Sequence, residues 1–138
     1  MELFGVGDFL RIIGRREWWK RYRHCSIEEG TEVNVVNVKD YGQFSKEKMK
    51  KQNVFQSSRF FCVVYGFEPG QEQKGHVHAD QDKVYLVLEG EGTFRVGSES
   101  RILGEGQGTM APAGEEHGVM NHTTNRLRVL VFMAPNPG

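Results

Sequence analysis

Gly70-Gln-Glu-Gln-Lys-Gly-His76-Val-His78, then Lys83-Val-Tyr-Leu-Val-Leu-Glu-Gly90, and then Gly106-Gln-Gly-Thr-Met-Ala-Pro112-Ala-Gly114-Glu-Glu-His117-Gly-Val-Met-Asn121 carry most of the structural and chemical information in this chain. His76 and His78 stand at i and i+2, so on a strand both imidazoles point to one face. His117 follows His78 by 39 residues, in another expected strand or its entry loop. Two imidazoles on one strand face and a third from a second strand form a plausible metal site. An isolated His-x-His says little, because surface histidine pairs are common. The glycines and the proline placed around these three histidines are what give the pattern weight.

Outward from this stretch the chain is rich in glycine, with 17 in 138 residues, of which eleven lie between Gly66 and Gly118. That is about 12%, against a usual share of roughly 7%. Short runs of valine and phenylalanine separate the glycines, which argues for strands joined by tight turns rather than for disorder. The expected strands are Val33 to Val38, Arg59 to Phe67, Val84 to Glu89, Thr93 to Val96, Arg101 to Leu103, Gln107 to Ala111, Gly118 to Asn121 and Leu127 to Met133. Gly90-Glu91-Gly92 reads as a hairpin connection. Ser45 to Lys51 is the one helical interruption expected in this zone. Eight or so short strands spaced by turns imply an all-β antiparallel sandwich or barrel over residues 32–138.

Residues 1–31 differ in character. Between Arg11 and His24 six Lys or Arg meet one acid, Glu17, with Trp18, Trp19 and Tyr22 among them. Asp8 is a candidate cap for a helix starting at Phe9, although Gly14 weakens it. The expected role of this basic aromatic arm is to pack its aromatics and leave its charges solvated. A formal net charge of zero over the whole chain argues against nucleic acid as a partner. Cys25 and Cys62 form no Cys-x-x-Cys unit and are expected to be reduced thiols. No apolar run exceeds six residues, far below the ~18 that span a bilayer. The first residues also lack the basic-then-apolar order of a signal peptide, so the expected location is cytoplasmic, with no membrane association.

The two histidine segments resemble the paired motifs of the cupin family. The first family motif runs Gly-x5-His-x-His-x(3,4)-Glu-x6-Gly, matched here by Gly70, His76, His78 and Gly90. The second, Gly-x5-Pro-x-Gly-x2-His-x3-Asn, is matched at every fixed position by Gly106, Pro112, Gly114, His117 and Asn121. The resemblance implies a double-stranded β-helix, the cupin jelly-roll barrel. It further implies a divalent transition metal (Fe, Mn, Zn, Ni or Cu) held by His76, His78 and His117. A homodimer and a small-molecule substrate or ligand are implied as partners.

The family's carboxylate ligand is missing. Counting six residues back from Gly90 reaches Lys83, which alternation places on the interior face with Tyr85 and Val87. Asp82 sits one residue off and points to the opposite face unless the strand entry is bulged. Three readings stay open. A three-histidine site completed by water, similar to the thiol-dioxygenase branch of the cupins, leaves the dication its full charge, and Lys83 then pairs with an anionic substrate. Alternatively, Asp82 or Asp80 turns in as a ligand. In the third, the Lys83 ammonium repels the cation and the pocket binds a ligand without chemistry. For the enzymatic readings Lys83 and Tyr85 are the candidate catalytic residues, and oxygenase-, isomerase- or lyase-type reactions are implied. A non-enzymatic ligand-binding cupin, with a regulatory role, is the alternative. His122 is expected to face away from the metal, and Cys62 to be a buried, inert thiol.

Overall fold

The computed structural model describes residues 32–137; the basic arm, its expected helix and Cys25 lie outside the described residues. Within the described residues nine strands follow in order: β1 (Lys50–Gln56), β2 (Phe61–Phe67), β3 (Glu72–His76), β4 (Asp82–Glu89), β5 (Glu91–Val96), β6 (Glu99–Gly104), β7 (Gly108–Ala111), β8 (His117–Met120) and β9 (Leu127–Ala134). They build a five-stranded sheet in the order β1-β2-β9-β4-β7 and a four-stranded sheet in the order β3-β8-β5-β6. All the ladders between them are antiparallel. The all-β double-stranded β-helix expected from the motifs is the fold observed. Among the described residues no helix is long and apolar enough to cross a membrane.

Alternation makes the core. On β4, Lys83, Tyr85 and Val87 are buried while Val84 is exposed, and on β9 Leu127, Val129, Val131 and Met133 are buried. Cross-strand pairing sets these residues in rows: Phe61–Met133–Lys83–Ala111, Val63–Val131–Tyr85, and Tyr65–Val129–Val87. Phe94 and Val119 face them from the second sheet. Each large apolar side chain so buried contributes roughly 1.5–3 kcal/mol. Lys83 therefore occupies a position that the pattern reserves for a hydrophobe.

Three local expectations are corrected. Val33 to Val38 is not a strand: residues 32–37 have no regular structure, Val33 and Val35 are exposed, and Val38–Asp40 forms a 3-10 turn. The Asn37 side chain accepts the Lys39 N–H and caps that turn, a local bond that competes with strand pairing. Nor is Ser45 to Lys51 a helix. Its last residues enter β1, where ladder bonds to β2 override the helical preference of Lys and Glu. Third, Gly90 does not close a hairpin, because β4 and β5 belong to different sheets. Gly90 has φ +81°, and a Cβ there would lie 2.3 Å from the Arg126 carbonyl oxygen. The glycine lets the chain pass close under that backbone as it changes sheets.

Two arginines fasten the segment before β1. The Arg128 guanidinium donates to the carbonyls of Val38, Lys39 and Tyr41 and to Glu89. Arg126 donates to Glu68 and stacks over the Phe44 ring, 4.3 Å from its centroid.

Candidate metal centre

His76 closes β3 and His117 opens β8, and the two are direct partners across the antiparallel ladder. Their ring centroids lie 4.4 Å apart. His78 stands beyond the end of β3, in the loop before β4, not on the strand itself. Its ring nevertheless lies 4.8 Å from that of His76 and 5.4 Å from that of His117. One nitrogen from each of the three falls within 4.8 Å of the others. The spacing of the motifs thus brings together the three histidines that the sequence singled out.

Two backbone bonds orient the rings. His76 Nδ1 lies 2.8 Å from the Lys74 carbonyl and His117 Nδ1 lies 2.9 Å from the Glu115 carbonyl. A carbonyl can only accept, so each Nδ1 carries the proton and each Nε2 keeps a lone pair. The lone pair of His117 Nε2 is buried and has no hydrogen-bond partner. An unsatisfied buried acceptor costs roughly 1–3 kcal/mol, so a native site that keeps one has a use for it. Burial lowers the pKa of all three histidines below the usual 6.5, that of His117 to about 4. The Lys83 charge adds to the effect at each. Neutral imidazoles with inward lone pairs are the state a metal ion requires, and these residues fit such an ion.

The loop that carries His78 is clamped by the turn of the second motif. The Gly114 N–H donates to the His78 carbonyl at 2.8 Å, and the Ala113 N–H donates to Asp82 Oδ1 at 2.9 Å. Asp82 therefore serves as a cap for the Pro112–Gly114 turn and lies outside the three-histidine cluster. Asp80 is exposed and also outside it. Asn121, the last motif residue, is fully buried. It donates to the Phe67 and Asn125 carbonyls and accepts from the Thr123 N–H and hydroxyl.

Lys83 is 1% exposed and does not swing out to solvent. Its Nζ lies 5.3 Å from the Tyr65 ring centroid and 5.0 Å from that of Tyr85. It donates to Gln73 Oε1 at 3.3 Å, and the Tyr85 hydroxyl donates to the same oxygen at 3.1 Å. Gln73 Nε2 in turn reaches the Tyr65 hydroxyl at 3.4 Å. Burial lowers the Lys83 pKa from 10.5 to about 7, and the charge of Lys51 adds to the shift. Burial raises the Tyr85 phenol, and the neighbouring Tyr65 adds to it, so Tyr85 stays a donor. The Tyr85 ring lies 6.1 Å from that of His117.

Gln73 and Lys51 escaped the sequence reading. Strict alternation puts Gln73 on the face opposite His76, but the β3–β8 register shifts between these two residues. This bulge over Lys74 and Gly75 turns both side chains toward the site. A glycine inside a strand was the available signal. Lys51 was hidden by the helical assignment of its segment. In β1 it pairs with Tyr65, and its Nζ lies 5.2 Å from that ring's centroid. His122, as expected, faces away: it bonds Thr93 Oγ1 at 2.8 Å and lies 3.3 Å from Glu91. Cys62 is 2% exposed, and burial raises its thiol pKa.

A family model described as "Cupin domain" matches residues 63–133. The fold is similar to that of the TT1209 protein of Thermus thermophilus, at 44% identity and TM-score 0.74, over 76% of this chain and 100% of that one. An RmlC-like cupin protein from Desulfovibrio desulfuricans matches at 30% identity and TM-score 0.67, over 75% of this chain and 98% of the other. An uncharacterized conserved protein with a double-stranded β-helix domain from Klebsiella pneumoniae matches at 26% and 0.71, over 77% and 93%. No curated protein matches the sequence. The two histidine motifs, the double-stranded β-helix and these matches agree: the chain belongs to the cupin family.

Proposed function

We propose that this cupin holds a divalent transition metal (Fe, Mn, Zn, Ni or Cu) through His76, His78 and His117 and acts there on a small molecule. The observation that carries the reading is the buried, unpartnered Nε2 of His117, next to two further neutral imidazoles. Three neutral protein ligands leave coordination positions open, the arrangement of a catalytic rather than a structural site. A divalent ion there would polarise an oxygen of the bound molecule or lower the pKa of water. The chain's own residues supply the rest. Tyr85 presents a phenol that burial keeps protonated, and Gln73 fixes its direction. Lys83 is a positioned cation where a fourth, anionic ligand would stand in other family members.

Metal analysis of the purified chain after growth with each metal tests the proposal. Near-stoichiometric metal, lost in His117→Ala and His76→Ala, is the expected result. Uptake should also fall as pH drops through the range where the imidazoles protonate, because each bound proton removes a lone pair. A wild-type chain that holds no more metal than the His117→Ala variant overturns the reading. The buried Lys83 favours a second one, a ligand-binding cupin without a metal, and that result would select it.

A further inference from the structure

β6 reverses the pattern that β4 and β9 keep. Its residues Glu99, Arg101 and Leu103 pair across the ladder with Val96, Phe94 and Gly92. Phe94 is a buried core residue, so all three stand on the face that β5 turns to the core. The other face of β6 carries Ile102, which is 59% exposed. Two charges thus occupy positions where alternation asks for hydrophobes, and a hydrophobe sits where it asks for a polar residue. β6 is an edge strand of its sheet, and inward-pointing charge does protect an edge from pairing with another chain. That task needs charge alone. It needs neither both signs side by side nor a cavity beneath them.

Such a cavity is present. It has a volume of about 410 Å³, and its lining combines apolar Phe94, Val96 and Leu103 with polar Glu99, Arg101 and Thr109. Thr109 comes from the other sheet, where it pairs with Tyr85 and so faces the interior. Among the described residues its hydroxyl has no hydrogen-bond partner. The Arg101 guanidinium reaches Glu99 Oε1 at 3.5 Å and donates to the Ser100 carbonyl at 3.2 Å. The two charged side chains are 71% and 75% exposed, and a pair so long and so open contributes little. Either partner can therefore turn to a ligand at small cost. Sites for small ligands usually have volumes of roughly 300 to 1,000 Å³, mostly apolar walls and a few polar groups that fix orientation. This cavity has that make-up.

We propose that this cavity binds a free α-amino acid with an apolar side chain, its carboxylate on Arg101, its ammonium on Glu99 and its side chain over Phe94, Val96 and Leu103. The guanidinium donates to a carboxylate, and the Glu99 carboxylate accepts from an ammonium. The two charged ends meet at 3.5 Å, so the ligand charges that face them must be equally close, as they are on the single α-carbon of an amino acid. A ligand with one charge takes one partner and leaves the other without a counter-charge. The site goes beyond the function proposed above and does not need the metal. Val96 pairs with Glu99 on one side and with His117 on the other, so the cavity lies one strand beyond the histidines. None of its lining residues belongs to their cluster.

Calorimetric titration of the full, chelator-treated chain with L-phenylalanine, L-phenylalaninamide and 3-phenylpropionate tests this, at about pH 6, where the amide keeps its ammonium charged. The amide lacks the carboxylate, the propionate lacks the ammonium, and all three keep the same ring. L-Phenylalanine is expected to bind at least about tenfold more tightly than either, the factor that about 1.4 kcal/mol of recognition for each charge gives. Arg101→Gln should weaken phenylalanine and phenylpropionate by a similar factor and leave the amide unchanged. Glu99→Gln should weaken phenylalanine and the amide and leave phenylpropionate unchanged. Both positions are exposed, so the variants are expected to fold, and their melting curves check it. Equal affinity for the three ligands, or equal losses for all three in either variant, overturns the assignment. So does the absence of binding by both L-phenylalanine and L-leucine, with variants that aggregate more readily, the behaviour of charges that only guard the edge. Metal content of chain grown with metal keeps the two proposals apart. The crossed pattern in a chain that takes up no metal leaves the amino-acid site standing and removes the metal centre. Stoichiometric metal in a chain that binds neither amino acid does the reverse.

Discussion

Lys83→Met should make the protein more stable at neutral and acid pH, although it removes a polar group from the candidate site. The side chain is buried on the core face of β4, between Met133 and Ala111 in its row. Methionine keeps a similar unbranched length and loses the charge. In the folded state the Lys83 pKa falls from 10.5 to about 7. A drop of that size corresponds to about 5 kcal/mol between the charged and neutral forms. Below pH 7 both folded and unfolded chains bind the proton, and the folded state bears the full penalty. Between pH 7 and 10.5 the unfolded chain binds one proton more, so stability rises with pH by up to about 1.4 kcal/mol per unit. Above 10.5 both states are neutral and the penalty is gone. Burial also raises the phenols of Tyr65 and Tyr85, which keeps them protonated below pH 10 and out of this window. Denaturant unfolding at pH 6, 7.5 and 9 is the assay, in chelator and in buffers free of carboxylates. The variant is expected to exceed wild type by several kcal/mol at pH 6, with the gap narrowing steadily toward pH 9. Parallel pH curves for the two proteins would refute the argument, since they would mean that burial does not bring the Lys83 pKa down into this range.

Asp82→Ala should leave metal uptake unchanged, as its carboxylate accepts the Ala113 N–H rather than joining the histidines; a stability loss of roughly 0.5–1.5 kcal/mol is expected from the missing hydrogen bond. A loss of metal in that variant, with the fold intact, would return Asp82 to the ligand set. Asn121→Ala removes a buried amide that bonds two carbonyls and two groups of Thr123, and a loss of about 2–4 kcal/mol is expected in thermal or chemical unfolding. A change within about half a kcal/mol, the range of an ordinary surface substitution, would show that the motif asparagine is not a structural tie.

What the sequence revealed of the site followed from parity and from fixed spacing. His76, His78 and His117 were legible because the flanking glycines and Pro112 mark where the chain must turn. Lys83 and Tyr85 were legible because one strand of strict alternation places them together. Where parity broke, the reading broke with it. A single bulge hid Gln73, and the helical propensity of Ser45 to Lys51 hid the face of β1 that carries Lys51. The Gly90 turn shows a different limit. A short glycine-containing link looks the same whether it joins neighbours in one sheet or carries the chain across to the other. Only the partners chosen by β4 and β5 elsewhere decide between them, and those partners are distant in sequence.

The pairing of His76 with His117 also bears on how the chain comes to fold correctly. The two imidazoles meet only if β3 and β8 join in one register, with the irregularity accommodated at the bulge. A slip of one position would turn His76 to the outside and separate the pair. Gly118 guards that register: a Cβ there would sit 2.9 Å from the Gln73 carbonyl oxygen and 3.2 Å from the Gly75 nitrogen. A bulkier residue at 118 would therefore displace the strand carrying His76, even though it touches no imidazole. The histidine pair thus reports whether two strands distant in sequence have met in the right register.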